Sequence, residues 1–427
     1  MLVRNLMLGT LLLVPLVSLA ETKLQITTDK PAAIYEPGEP VVWKIVAKDG
    51  DAVVPGKLSY VVCQGGLKEI AQGEASGSET SIRHEPANPA PPGVVTLEVK
   101  FKAEGSDKEL KATGAAVYSP EKITRSAPIP DDFDAFWKAK IAELDAVPMN
   151  VKLEQVDIGD PKIEYYKITM DNIHGRKIYG QLAKPAGREK LPAILQVQWA
   201  GVYPLQRDWV VGPAKQGRLA LNISAHDLPM DEPAKFYQEK AAKELNDYPG
   251  QGNDDRETSY FLPMFLSCRR AVDYLTQRPD WDQKHLLVQG GSQGGYQAIV
   301  TAGLHPAVTA FAANVPAGCD HTGKQAGRAP GWPNWASRTW QGKDEAKMLQ
   351  TARYFDAMNF AARTKSPGLI GLGLVDPVCP PEGILATCNE LAGPKQVVIM
   401  PLADHSGNHQ AYYAKFGPFV DKHLKGE

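Results

Sequence analysis

The sequence predicts an α/β protein with a mostly parallel central sheet, preceded by a small β-sandwich of immunoglobulin-like type. Three observations carry this. Short strand-like runs separated by turn clusters fill Lys23 to about Tyr118, with no helical periodicity between them. From Ile163 onward, apolar strand-like runs alternate with helical stretches, the pattern of parallel strands covered on both faces. Between one such strand and one such helix lies a serine in a glycine-rich turn, Gly290-Gly-Ser-Gln-Gly294.

Taken in order, residues 1 to 20 open with Met-Leu-Val-Arg, continue through an apolar stretch from Leu6 to Leu19 and end in small residues at Ser18 and Ala20. This reads as a secretory signal cut before Glu21, because the apolar run is shorter than the ~20 residues that span a bilayer. An exported protein, periplasmic or secreted, with no membrane span is expected. Residues 21 to 118 form the accessory sandwich, from runs such as Val41-Val-Trp-Lys-Ile-Val and Val94-Val-Thr-Leu-Glu-Val. Three prolines between Tyr118 and Pro130 mark residues 119 to 130 as a linker. The catalytic domain is expected over 131 to 427. It opens on a helix in which Phe133, Phe136, Trp137, Ile141 and Leu144 recur at helical spacing behind an Asp N-cap. Ile163 to Met170 and Lys177 to Ala183 read as an antiparallel opening pair. Buried strands then begin at Ala193, Leu219, Leu286, Ala310, Leu369 and Val397, with helices near 262–278, 294–304, 344–362, 382–391 and 409–424.

The chain has 427 residues, 43% hydrophobic and 22% charged, which excludes a disordered or fibrous protein. Lys and Arg number 47 against 49 Asp and Glu, with no basic run to release counterions from a phosphate backbone, so nucleic acid is excluded as a partner. The five cysteines make no dense disulfide framework, and the pairing of Cys379 with Cys388 stays open at this level.

Strand and helix on either side of Gly290-Gly-Ser292-Gln-Gly294 fit the nucleophile turn of the α/β-hydrolase fold. The serine is presented at the carboxyl edge of the sheet, beside a helix N-terminus that favours developing negative charge. A base and an acid must then follow in the order Ser, Asp, His. Asp376 ends the strand in Gly371-Leu-Gly-Leu-Val-Asp376-Pro, and His405 lies just past the last buried strand, in a loop able to return over the sheet edge. That loop position favours His405 over His409. The N–H of Gln293 is the first oxyanion donor expected, and Val202 N–H, in the loop Val197-Gln-Trp-Ala-Gly-Val, the second. His405-x-x-x-His409 has metal-ligand spacing, yet Ser406 stands where a zincin carries its glutamate, so no metal site is expected. Trp199, Tyr296, Trp332 and Trp335 could offer flat apolar faces to sugar rings; the competing reading is packing.

Phe136-Trp137 through Val147-Pro148, the turn at 290 to 295, Gly373-Leu-Val-Asp-Pro-Val-Cys-Pro-Pro381 and Met400-Pro-Leu-Ala-Asp-His405 together resemble the acetyl xylan esterase and cephalosporin-C deacetylase family. The resemblance covers about residues 128 to 425 and leaves the sandwich outside it. It implies the same triad, Ser292, Asp376 and His405, and a reaction that needs no cofactor. The chain departs from the family at Asp404 and Ser406, where Gly and Glu usually flank the histidine, and at Ala200-Gly201-Val202, where a Gly-Tyr pair is usual. The stretch from Cys319 to Trp335 reads as an insertion at the substrate edge. Family members are often homo-oligomeric, and the added sandwich would block or replace those contacts.

The expected function is that of an exported serine esterase removing acetyl groups from saccharides through an acyl-enzyme. Two other readings compete with it. A serine peptidase of prolyl oligopeptidase type would need an N-terminal propeller far longer than the ~100 residues ahead of the linker. A non-catalytic carbohydrate-binding protein on a hydrolase scaffold would have no use for the ordered Ser, Asp and His.

Overall fold

The computed structural model describes residues 22–87, 89–335 and 342–425. The expected leader lies outside them. No helix among the described residues is long and apolar enough to cross a membrane.

The N-terminal part is two facing β-sheets. One holds Lys23–Thr28, Val41–Asp49, Ala52–Val53 and Glu79–His84; the other runs Ile34–Tyr35, Glu109–Tyr118, Gly93–Ala103, Gly56–Gln64, Lys68–Gly77. Alternation along the strands builds the core between them. Val41, Trp43, Ile45 and Ala47 point inward from one sheet and meet Leu97, Val99 and Phe101 from the other.

Two of these strands bury both faces at one end. Val95, Ala116 and Tyr118 belong to the sandwich core, whereas Val94, Ala115 and Val117, one residue out of phase, belong to the core of the catalytic half. The proline-rich segment between the halves is likewise fastened down. The Arg125 guanidinium meets Glu390 and Asn359, and Asn389 Nδ2 donates to the carbonyls of Pro120 and Ile123 at 2.8 and 2.9 Å. These partners lie far along the chain, so the prolines alone could show only a linker and not its fastening.

The catalytic half is a nine-stranded sheet. In spatial order its strands are Lys152–Gln155, Ile163–Asp171, Lys177–Pro185, Leu219–Ile223, Leu191–Gln196, Trp281–Gly291, Ala310–Asn314, Gly368–Gly373 and Lys395–Met400. The first three pair antiparallel, Lys177–Pro185 also meets Leu219–Ile223 antiparallel, and every later pairing is parallel. Strand Leu191–Gln196 has Leu219–Ile223 on one side and Trp281–Gly291 on the other. The chain therefore reverses its direction of travel across the sheet there, and a crevice opens at the carboxyl ends of the strands.

Helices Phe261–Thr276, Gln293–Leu304, Pro381–Glu390 and Gln410–Lys425 stand where periodicity places them. The stretch near 344–362 is instead two helices, Glu345–Phe355 and Ala357–Ala361. Asp356 between them turns its carboxylate to the N–H groups of Met358, Asp320 and His321 at 3.0, 3.1 and 2.7 Å, ending one helix and capping the next. Two further helices, Asp208–Lys215 and Ala234–Ala242, of 8 and 9 residues, are not expected from the sequence. The opening helix Phe133–Asp145 buries Phe133, Phe136, Trp137 and Leu144, but its N-cap, Asp132, makes no capping bond: the carboxylate is taken by Arg256 and by the Tyr354 hydroxyl.

Candidate active site

Strand Trp281–Gly291 runs into helix Gln293–Leu304 with one residue between them, Ser292, at φ 54° and ψ −122°. A non-glycine residue there costs about 1–3 kcal/mol and persists only where its surroundings hold it. Three backbone bonds do so: Ser292 N–H donates to Asn314 O at 2.9 Å, and Ser292 O accepts from Tyr296 and Ala317 N–H, both at 3.0 Å. The flanking glycines are required by contact. A Cβ on Gly290 would lie 2.4 Å from the Gly294 carbonyl carbon, and one on Gly294 would lie 2.7 Å from Val197 O, so the helix start packs directly on two strands.

The turn brings Ser292 to His405, and His405 to Asp376. Ser292 Oγ lies 3.0 Å from His405 Nε2, and His405 Nδ1–H donates to Asp376 Oδ2 at 2.8 Å. The Asp376 side chain is fully buried; its other oxygen accepts from Val378 and Cys379 N–H, both at 2.8 Å. One carboxylate oxygen is thus left to fix the imidazole with Nδ1 protonated and Nε2 free toward the serine. His409 is placed differently. Its Nδ1 accepts from Asn314 Nδ2 at 3.0 Å and its Nε2–H donates to the carbonyl of Asp404 at 2.8 Å, so it braces the loop that carries His405. The Cys379 thiol approaches Asp376 and His405, with all three donor atoms within 4.8 Å of one another. Burial pushes that thiol well up, which keeps it neutral, and the other two groups are committed to each other. All five cysteines are free and buried, Cys379 and Cys388 included.

The loop after strand Leu191–Gln196 approaches the same point. Gln297 Nε2 donates to the Gln198 carbonyl at 2.8 Å, tying the loop to the helix that follows Ser292. His226 Nε2–H donates to the Gly201 carbonyl at 2.9 Å, and its Nδ1 accepts from the Tyr260 hydroxyl at 2.8 Å. Burial pulls His226 down to about 4, so it is neutral near pH 7 and keeps this tautomer. In a trans peptide the N–H points opposite to the C=O, so holding Gly201 O on one side turns Val202 N–H to the other. Tyr248 stacks edge-on against His226 at 4.7 Å and donates its hydroxyl to Gln293 Oε1 at 2.5 Å. The sequence reading missed His226, Tyr248, Gln198 and Gln297. Only His226 carries a signal, since it follows strand Leu219–Ile223 at the edge that also presents Ser292.

A depression of about 590 Å³ opens over Ser292 and His405, with Trp199, Ala200, Trp332 and Tyr413 among its walls. Trp199 is 43% exposed and stacks on Tyr203 at 5.1 Å. Neither Val202 nor Gln293 is among the wall residues of this depression. Two expected sugar platforms are corrected. Tyr296 is fully buried, its hydroxyl bound to the Phe355 carbonyl and 3.2 Å from His321 Nε2. Trp335, 1% exposed, is stacked on Phe355 at 5.6 Å with its Nε1–H donated to Asn253 O at 2.8 Å. Both are core residues because aromatic rings from helices Phe261–Thr276 and Glu345–Phe355 close over them.

Residues 119–423 match the family described as acetyl xylan esterase (AXE1), a match that begins just after the last sandwich strand. An acetyl esterase, Axe7A, of Xylanibacter ruminicola is 33% identical over 323 residues, which are 75% of this chain and 72% of that one. The acetyl xylan esterase of Paenibacillus sp. R4 superposes with a TM-score of 0.62 at 24% identity, covering 71% of this chain and 98% of its own. Acetyl xylan esterase 1 of Thermoanaerobacterium sp. JW/SL YS485 gives 0.60 at 20% identity, with 71% and 96% covered. These two likenesses establish the α/β-hydrolase fold. The serine turn, the sheet order and the family match converge: the chain is a carboxylic ester hydrolase and belongs to the acetyl xylan esterase family.

Proposed function

We propose that the protein removes acetyl groups from saccharides by acyl transfer through Ser292, with His405 as base, Asp376 as its orienting acid, and the N–H groups of Gln293 and Val202 as oxyanion donors. The observation that carries this reading is the unbroken chain Ser292 Oγ, His405 Nε2, His405 Nδ1, Asp376 Oδ2, at 3.0 and 2.8 Å. As Ser292 Oγ bonds to the acetyl carbonyl carbon, its proton passes to His405 Nε2, and the carbonyl oxygen takes the negative charge. Collapse breaks the bond to the sugar oxygen, which leaves with the proton from His405. Water then attacks the acetyl-enzyme, again giving its proton to His405, and acetate departs as Oγ is reprotonated. Asp376 stabilises the imidazolium at each stage.

The saccharide part of the reading is supported by the family and by Trp199 and Trp332 on the walls above Ser292. Export belongs to the same reading and rests on the composition of residues 1 to 20. The deciding experiment follows acetate release from acetylated xylo-oligosaccharides, and compares acetyl with butyryl esters of p-nitrophenol. Each extra methylene in a closed acetyl pocket costs about 1–3 kcal/mol, so efficiency should fall about 10- to 200-fold per methylene at most. Equal turnover of butyryl ester with no acetate from the sugars would remove the saccharide claim, and turnover of peptide anilides alone would move the protein to the peptidases.

A further inference from the structure

The stretch 319–335, set apart by the sequence as an insertion at the substrate edge, touches both the sandwich and the depression over Ser292. Near its end Trp332 forms part of the wall of that depression. Three residues earlier, Ala329 N–H donates to the carbonyl of Gly65 at 2.8 Å. Gly65 belongs to the sandwich, in the turn between strands Gly56–Gln64 and Lys68–Gly77, and its own N–H donates to Val94 O at 2.8 Å. The approach is close enough to require glycine. Gly65 has φ 62°, and a Cβ on it would lie 2.3 Å from Gly327 O and 3.3 Å from Arg328 Cα, both backbone atoms. Beside it Gly66, at φ 68°, would bring a Cβ within 3.3 Å of Ala329 Cβ.

Between this contact and Trp332 the chain has little slack. Pro330 has its φ locked, and Gly331 packs so close to Pro380 that a Cβ would lie 3.3 Å from its Cδ. A displacement of Ala329 is therefore passed on to Trp332. There the catalytic half holds the backbone, with Trp332 N–H donating to Val378 O at 2.8 Å and Gly318 N–H donating to Trp332 O at 2.9 Å. The ring meets Phe261 edge-on at 6.0 Å and Tyr248 at 6.3 Å. The same turn does not press on the triad. A gap of about 230 Å³ lies between Gly65 and Gly66 and the segment 374–377, which carries Asp376. The route from the sandwich to the site thus runs through Ala329 to the substrate wall, and bypasses the acid.

We propose that the sandwich is a working part of the active site: Gly65 is a positioning residue that, through Ala329, sets Trp332 as a wall against the bound ester. It acts on substrate binding and not on the chemical step. The inference rests on the reading that the ester binds over Ser292, and it uses nothing of the saccharide. Steady-state kinetics of the full chain on p-nitrophenyl acetate test it. Trp332→Ala and Gly65→Ala should each raise KM about 3- to 10-fold, the range one aromatic contact supplies, with kcat within about two-fold of the parent. The double variant should stay within about two-fold of the larger single effect, because both changes act through one ring. Gly50→Ala is the control. It also strains a positive φ, 59°, in a sandwich turn, but its Cβ meets nothing within 4 Å, so KM should be parental. Cooperative thermal melting shows that the variants are folded, and Gly66→Ala, with its milder contact, reads the same shift should Gly65→Ala not fold. Four results would each overturn the proposal: parental KM in Trp332→Ala or in a folded turn variant, a loss confined to kcat, additive effects in the double variant, or an equal rise in Gly50→Ala. Failure of the serine reading shows elsewhere, as turnover retained by Ser292→Ala.

Discussion

His226 holds the carbonyl of Gly201 at 2.9 Å, and through that single bond it sets the direction of the next peptide N–H, that of Val202. If this N–H is an oxyanion donor, His226 is a positioning residue whose loss is felt in the transition state more than in substrate binding. His226→Ala should lower kcat by about 10- to 100-fold with a smaller change in KM, and His226→Gln, whose amide can still donate, should recover most of it. Steady-state kinetics on p-nitrophenyl acetate read both values. A KM-dominated loss, or no recovery in the glutamine variant, would assign His226 to substrate binding or to folding alone.

The two histidines of the last loop separate cleanly. Ser292→Ala and His405→Ala should each cost about 10³-fold or more in kcat, and the double variant little beyond either, because the groups act as a unit. His409→Ala removes a brace from the Asp404 carbonyl and should cost about ten-fold or less. A reversed ranking would transfer the base to His409.

Gly294→Ala places a methyl 2.7 Å from the Val197 carbonyl oxygen, a backbone atom that cannot swing aside. Overpacking of this kind costs about 1–3 kcal/mol, which urea unfolding would register as a lower midpoint. Gly291→Ala, with nothing closer than 3.8 Å, should unfold like the parent.

Glu382 makes stability depend on pH in a defined direction. Its carboxyl is pushed from an ordinary 4.5 up to about 7 by burial, so between those values the folded chain holds a proton that the unfolded chain has released. That contribution is complete below about pH 4.5 and is lost as pH rises through 7. Glu382→Gln should therefore shrink the drop in melting temperature between pH 5 and pH 8. An unchanged drop would show that the carboxyl titrates normally.

What the sequence made legible was local or ordered along the chain. Ser292 stands out because Gly290 and Gly294 lie two residues either side of it between a strand and a helix, and Asp376 and His405 because each follows a buried strand; the folded chain brings these three side chains together. What it hid depends on residues that meet only after folding. His226 and Gly201 are 25 positions apart. Tyr296 and Trp335 look like sugar platforms until the rings of Phe261, Phe265 and Phe355 cover them. Asp132 has the composition of a helix cap, but Arg256, 124 residues away, competes for its carboxylate and wins, since a charged pair outweighs one bond to a backbone N–H.

The phase shift at the ends of two sandwich strands has a consequence for how this protein can be divided. Val94, Ala115 and Val117 form part of the floor beneath the catalytic half while their immediate neighbours fill the sandwich. The point where the family likeness begins is therefore no seam in the mechanical sense. A chain started at residue 119 would uncover an apolar patch on the catalytic half, and one stopped there would uncover the matching patch on the sandwich. The two parts are bound to melt in one calorimetric transition, and a protease that cut near Tyr118 would yield fragments that stay associated rather than an enzyme freed of its attachment.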